Sequence, residues 1–498
     1  MFLGDNGRHM PDGSIVVWSG ELYPEFHDWA ERIYDLYRVK GMDFPLYLDG
    51  EFAIVIWDAQ TRRTIVTRDP VGVIPLYECE WGDALLVSDH IDGLLALGYE
   101  AEVNWEAVAD FFCFFWTLGD KTFFRGVRRF PAGTVSCGGR RNKYWSYMQE
   151  GTLTDIDSAA RGVRASLEKA VEKRLIMDQE VGCHLSGGVD SSVLAMLLST
   201  RCPGLLHTLS IRVDGGNDET QWVERMLAQL KSDHTWVQPE AKEVIEAVPR
   251  IARILGEPMC YPSVLSRYFL DEETSVRRIF NGRGVDELFS GYAWHLPPHL
   301  YRHLTRRTVF QRETILRILP CLEDIGYDPS EAYMDLYQEL PAYGPLERTL
   351  HVDYHTLLRS WLAVEYYCSR AFRHMALMPA LDMDVVNLAA AIDPRQKANE
   401  QETKMVFRRA FSDILPGEIL SRTKVGLNMP FSAILRAGAA ETAQEWIWGA
   451  KKADFQEMEL SFVREMFLKH LRGEVEWGWQ FWAILLYMHW KRLYILTT

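Results

Sequence analysis

The pattern of apolar and polar positions divides the chain into two parts with different periods. Residues 14–91 alternate short apolar runs with turns, as in "SIVVWSGELY", "GEFAIVIWDAQTRRTIVTRDPVGVIPLYEC" and "DALLVSD". "IVIWDAQTRRTIVTRD" predicts two strands joined by a polar turn, and "PAGTVSCGGRRNKYW" adds a strand and a Gly-rich turn near residue 139. These elements make a strand-rich α+β unit ending near residue 150. From about residue 155, apolar residues recur at three- and four-residue spacing in "DIDSAARGVRASLEKAVEKRLI", a helix starting near Asp157 or Ser158. Strand "EVGCHL", helix "SSVLAMLLSTR", strand "LLHTLSIRV", helix "DETQWVERMLAQLKS" and strand "HTWVQP" then alternate. That alternation predicts a parallel sheet with helices on both faces. Beyond Leu288 the pattern is almost entirely helical, and no internal repeat interrupts it.

A length of 498 residues exceeds one ordinary core and agrees with two domains, 1–150 and 151–498. With 48% hydrophobic and 25% charged residues, the chain has the composition of a folded protein rather than a disordered one. Its net charge of −15 repels phosphate backbones, so nucleic acid is not expected as a main partner. A local basic pocket for a nucleotide is compatible with that charge. The eight cysteines contain no Cys-x-x-Cys pair, which argues against structural zinc and for reduced thiols. "MFLGDNGRHMPDGS" has no apolar core of secretory type, so a cytoplasmic location is the expectation. "WGWQFWAILLYMHWKRLY" is apolar for about 14 residues, short of the ~20 a membrane span needs, and predicts a buried helix instead.

The candidate chemistry begins at "CHLSGGVDSSVLAMLL", residues 183–198, a strand that enters a Ser-Gly-Gly turn and then a helix. Free N–H groups and the positive end of a helix dipole favour an anion there. Gly187 and Gly188 clear the approach, and Ser186, Ser191 and Ser192 add hydroxyl donors. Asp190 would repel phosphates unless a cation lay between them. Mg²⁺ held by one or two carboxylates and phosphate oxygens removes the conflict. The Walker pattern is absent, so this is a phosphate cradle of another type.

"LSGGVDSS" resembles the pyrophosphate loop, Ser-Gly-Gly-x-Asp-Ser-Ser, of N-type ATP pyrophosphatases. "RRIFNGRGVDELFSGY" resembles the Gly-x-Gly-x-Asp-Glu-x-Phe-x-Gly-Tyr segment of asparagine synthetases, and "ETKMVFRRAFSDILPGEILSRTKVGLNMP" resembles a later segment with two lysines. "LYLDGEFAIVIWDAQTRRTIVTRDPVGVIPLYE" is similar to the glutaminase domain of class II amidotransferases. Essentially the whole chain thus resembles the family of asparagine synthetases, β-lactam synthetases and lasso peptide cyclases. The resemblance implies a degenerate, Ntn-hydrolase-like αββα sandwich, then a parallel-sheet α/β ATP pyrophosphatase domain with a helical C-terminal half. It implies ATP and Mg²⁺ as cofactors. By the same resemblance, Leu185, Ser186, Gly187, Gly188, Asp190, Ser191, Ser192, Ser210, Gly282 and Lys404 would face the nucleotide. Asp190 and Asp286 would hold the metal, and Lys424 would stabilise the acyl-transfer transition state. Glu257 in "LGEPMCYPS" and Asp382 in "LMPALD" fall in matching segments where a functional and a structural role are both open.

The departures from the family pattern carry as much information. A class II glutaminase uses an N-terminal Cys as nucleophile. Here the second residue is Phe2 and no Cys precedes Cys79. Ser19 replaces the Asn expected before Gly-Glu, and the loop around Asp28 and Glu31 is compressed, so glutamine hydrolysis is not expected. In the second motif, Arg283 stands where β-lactam synthetases place a Tyr base and asparagine synthetases a Glu. A guanidinium accepts no proton, but it can clamp a carboxylate or phosphate. Glu365 in "LAVEYYCSR" is then the candidate base. The expectation is an ATP-dependent carboxylate–amine ligase that releases pyrophosphate, with a macrolactam synthetase of natural-product biosynthesis as the favoured subtype. Alternatives are an ammonia-dependent asparagine synthetase-like enzyme, a β-lactam synthetase-like enzyme, and a non-catalytic nucleotide-binding scaffold. The substrate would be a small-molecule or peptide carboxylate. A leader peptidase, a precursor-binding protein and a second copy of the chain are partners that such a reading allows.

Overall fold

The computed structural model describes all residues except 1, 4–5, 25–27, 213–214, 216–217, 297–307, 341–342, 424–425, 427–428 and 497–498. The alternating segments of the first domain form a six-stranded antiparallel sheet. Its order is Arg140–Lys143, Thr134–Cys137, Arg63–Arg68, Asp49–Asp58, Ile15–Tyr23 and Asn6–His9. The polar turn after Asp58 sets the register of the central pair, with Ile56 opposite Ile65. One face, carrying Phe52, Ile54 and Ile56, is covered by the helix Trp29–Lys40 through Ala30, Ile33, Tyr34 and Leu36. Asp28 caps that helix by accepting the Glu31 N–H at 3.2 Å, which gives the compressed loop a local structural role. A second, four-stranded sheet runs in the order Phe2–Leu3, Ala84–Ser88, Tyr77–Trp81 and Val127–Arg129. The expected strand-rich sandwich is therefore present.

The second domain holds a five-stranded parallel sheet in the order Asp233–Val237, Leu206–Ile211, Val181–His184, Arg278–Phe280 and Met375–Leu377. In chain order this reads third, second, first, fourth, fifth, so the winding reverses between Val181–His184 and Arg278–Phe280. Open α/β sheets present their binding crevice at such a reversal, outside the carboxyl ends of the strands. The last strand lies in a region whose pattern predicts helix. Three residues are too few to show a period, and pairing decides the matter: Phe280 sits opposite Leu377, and Asn281 N–H donates to Leu377 O at 3.0 Å. The apolar C-terminal stretch is the buried helix Gly478–Tyr494. Among the described residues no helix is long and apolar enough to cross a membrane.

The two domains share their interior. One core joins Ile91, Leu94, Phe111 and Phe112 of the first domain to Trp482, Tyr487 and Trp490 of the last helix. Another joins Ala53, Val55 and Val66 to Val163, Leu167 and Val193. The polar joint is built on Glu257, 1% exposed, which accepts from Arg129 at 2.6 Å, Phe123 N–H at 2.7 Å and Tyr77 at 3.2 Å. Asp382 pairs with Arg174 and Lys173, each at 2.8 Å, and Arg174 also holds Glu51 of the first domain at 2.6 Å. Both acids are thus structural tethers. Replacing Glu257 by Ala strands the half-buried Arg129 guanidinium and two further donors, and should cost about 3–5 kcal/mol. Urea denaturation of Glu257→Ala, with Glu257→Gln as the milder control, measures that loss.

Candidate active site

A cavity of about 560 Å³ opens at the point where the sheet winding reverses. Leu185, Ser186, Gly188, Asp190, Ser191, Ser210, Gly282 and Asp286 line one side of it. The strand Val181–His184 stops there because Leu185 makes the last rung, its N–H donating to Leu209 O at 2.8 Å. Gly187 then takes φ +66°, and a Cβ at this position would meet Trp222 Cβ at 2.5 Å. The turn delivers the chain into the helix Val189–Arg201 with its N-terminus facing the cavity. The Ser191 hydroxyl accepts from Ser186 N–H at 3.1 Å and donates to Gly188 O at 3.2 Å, holding the loop closed on itself. Ser210 donates to Leu185 O at 2.5 Å and ties the neighbouring strand to the loop. The fully buried Ser192 hydroxyl has no hydrogen-bond partner among the described residues.

Three segments far apart in sequence converge on one charge. The Lys404 ammonium lies 2.7 and 2.6 Å from the two oxygens of Asp190 and 2.5 Å from Asp286 Oδ1. All three residues are buried. Lys404 itself holds φ 57° and ψ 31°, a left-handed conformation that costs a non-glycine residue about 1–3 kcal/mol and clusters at functional sites. Gly291 makes the approach possible: a Cβ there would sit 1.8 Å from Asp286 Oδ1 and 2.2 Å from Lys404 Cε. The two carboxylates fit a hard divalent cation that completes its shell with phosphate oxygens and water. Among the described residues no group of three or more His, Cys, Asp or Glu side chains forms a self-sufficient metal cage. A cation here would depend on the phosphates as well as on the protein.

The far side of the cavity carries the residues expected to serve acyl transfer. Arg283 does not reach freely into the cavity. Its Nε and Nη2 donate to Glu365 Oε1 at 3.2 and 3.0 Å, and its guanidinium stacks over Trp361 at 4.1 Å. The other oxygen of Glu365 forms an ion pair with Arg267 at 2.8 Å and accepts a hydrogen bond from Asn281 at 3.0 Å. Three hydrogen bonds and a further ion pair thus occupy the carboxylate that sequence reasoning assigns as base, and Arg283 clamps this internal carboxylate. Lys424 lies outside the described residues.

Sequence reasoning overlooks a better-placed pair. Tyr292 lines the cavity and donates to Glu287 at 2.7 Å. Glu287 is 1% exposed, and burial, reinforced by the neighbouring Asp286 carboxylate, raises its carboxyl above the ordinary value. A carboxyl tuned upward and joined to the cavity through a hydroxyl is suited to take a proton. The signal was present as Asp-Glu and Gly-Tyr in one motif, but only folding brings them together. Arg422 is also assigned no role from sequence. It donates to Ser186 O at 3.1 Å and pairs with Glu219 at 2.5 Å, bracing the loop from outside.

Fold and site together define an enzyme class: an ATP pyrophosphatase domain behind an amidotransferase-like domain. Residues 162–492 match the family described as Asparagine synthase, and residues 27–146 match the Glutamine amidotransferase domain. The chain belongs to the asparagine synthase family, ATP-dependent amide-forming enzymes. It is similar to a putative glutamine-hydrolyzing asparagine synthetase of Mycobacterium tuberculosis, 25% identical over 567 residues that cover 97% of this chain and 85% of the relative. It is similar to glutamine-hydrolyzing asparagine synthetase 1 of Bacillus subtilis, 22% identical, covering 94% and 81%. Amidase chyE of Penicillium rubens is 28% identical, covering 58% of this chain and 49% of that protein.

Two measurements test the electrostatics of the site. In Lys404→Met, Asp190 and Asp286 lose their shared cation, so the melting temperature should fall in chelator. Added Mg²⁺ should raise it more than in the parent protein. For Glu287, the folded state holds the proton longer than the unfolded chain. Its stabilising contribution is therefore full below the ordinary Glu value and lost as pH rises through the raised one. Glu287→Gln should flatten that decline in urea-denaturation profiles taken between about pH 4 and 8.

Proposed function

We propose that the protein activates a substrate carboxylate with ATP and passes the acyl group to an amine that does not come from glutamine. Macrolactam closure within one peptide is the favoured form. The convergence of Asp190, Asp286 and Lys404 beside the Ser186 loop carries this reading. A carboxylate oxygen of the substrate attacks the α-phosphorus of ATP, and the bond from that phosphorus to the bridging oxygen breaks. Pyrophosphate is received by the loop N–H groups and the hydroxyls of Ser186 and Ser191, which line the cavity. Mg²⁺, when bound to Asp190 and Asp286, would neutralise phosphate charge as that bond breaks.

The amine then attacks the acyl carbon and AMP departs with the electron pair of the C–O bond. Tyr292 takes the proton released by the amine while passing its own to Glu287. The resemblance carried by "SRTKVG" assigns oxyanion stabilisation to Lys424. Against glutamine as donor stands Ser19, where the resemblance expects Asn, its hydroxyl donating to Asp89 at 2.7 Å. In favour of a substrate larger than a free amino acid stands the extension of the cavity past the nucleotide loop to Val309, Leu357 and Trp479.

With ATP, Mg²⁺ and a panel of amino-containing acids and peptides, AMP and pyrophosphate should form together. Asp190→Ala should lower pyrophosphate release at least about 100-fold. Unchanged release in that variant, or no AMP with any acid, would refute the assignment. Glutamine labelled at the amide nitrogen should leave no label in the product.

A further inference from the structure

The acyl half of the cavity differs in character from its nucleotide half. Beyond Arg283 the wall is made by Tyr261, Trp294, Leu357, Trp361 and Trp479. Tyr261 is the hub, with ring centroids 6.2 Å from Trp361 in near-parallel planes at 13° and 5.6 Å from Trp479 at 73°. Stacked and edge-on rings of this kind present flat apolar faces to whatever enters.

Among the described residues, charge in this half is already balanced. Among the described residues, Arg267 and Arg283 are the cationic side chains that line the cavity. Arg267 is held by Asp271 at 2.8 Å and by Glu365 at 2.8 Å, and Arg283 by Glu365 at 3.0 Å. His184, which also lines the cavity, lies 3.1 Å from Arg267 through Nδ1, and burial, reinforced by that guanidinium, lowers its pKa and favours the neutral ring. Among the described residues, a second carboxylate on the substrate would meet no lining cation that is not already paired with an internal acid. Stripped of water in such a site, an unpaired charge is strongly disfavoured.

We propose that this chamber selects acids whose body beyond the reacting carboxylate is apolar, aromatic-sized and without a second negative charge, and that it rejects free aspartate. The inference rests on the adenylating role given to the cavity above and adds the substrate class. The reacting carboxylate faces the Ser186 loop, while the apolar body lies against Tyr261 and Trp361.

Calorimetry on the whole protein loaded with Mg²⁺ and α,β-methylene ATP reads the preference whether or not chemistry follows. The probes are 3-phenylpropionate and N-acetyl-tryptophan, set against aspartate and acetate. The aryl acids should bind at least about ten-fold more tightly than aspartate, the order expected for burying a ring. Equal or tighter binding of aspartate, or no binding of either aryl acid, overturns the inference. Leu357→Arg places an uncommitted cation in the chamber and should weaken aryl-acid binding while strengthening that of a dicarboxylate. Its melting temperature, with and without ATP, checks that the fold and the nucleotide half survive. Pyrophosphate exchange is read in parallel: failure of every acid that binds removes the adenylating role and leaves the chamber's selectivity standing.

Discussion

Two ionised carboxylates in one buried pocket repel each other unless a cation lies between them, and the Lys404 ammonium between Asp190 and Asp286 supplies it. The arrangement ties together the loop after the first strand of the parallel sheet, the turn after its fourth, and the segment that leads into the helix Met405–Ala410. Other local oddities follow from it. Lys404 accepts a left-handed backbone so that its side chain can reach inward. Gly291 remains without a side chain because any Cβ would land on the pair. The same convergence gives the site its dual character, since groups arranged to neutralise one another are also those a nucleotide and its cation would engage.

Across the cavity, Arg283 organises one wall. The guanidinium takes Glu365 as its counter-ion, and Arg267 and Asn281 fill the remaining positions on that carboxylate. The result is a rigid, charge-balanced lattice stacked on Trp361. In the proposed reaction, proton transfer then falls to Glu287 and Tyr292, which are joined by a hydrogen bond beside Asp286.

Much of this was legible in the sequence, for physical reasons. Phosphate cradles need small residues and hydroxyls in unbroken succession, so Ser186 through Ser192 declare themselves within a single stretch. The periods of two and of about 3.6 separate the two domains, because each reports which faces are buried. What stayed hidden depends on pairing across long distances. Met375–Leu377 becomes a strand only because Arg278–Phe280 offers it an edge. Glu365 reads as a solitary acid until Arg267 and Arg283 are folded around it. Tyr261 and Trp479 look like ordinary core aromatics, since sequence does not distinguish a ring facing a cavity from one facing a neighbour. Glu257 and Asp382 lay in suggestive motifs, yet Glu257 proved to fasten the domains directly and Asp382 to hold the arginine that reaches Glu51.

One of those fastenings reaches further than stability. The short stretch from Gly256 to Tyr261 is gripped at Glu257 by Arg129, Phe123 and Tyr77, and its backbone carbonyls at Gly256 and Cys260 accept from Trp490 and Trp482. At its far end, Tyr261 rests on Phe115 and Trp116, with ring centroids at 4.9 and 5.8 Å. The floor beneath the acyl group is thus laid partly by the amidotransferase-like domain. Whatever became of its own chemistry, a lineage could not shed this domain by truncation without also dismantling the specificity of its neighbour.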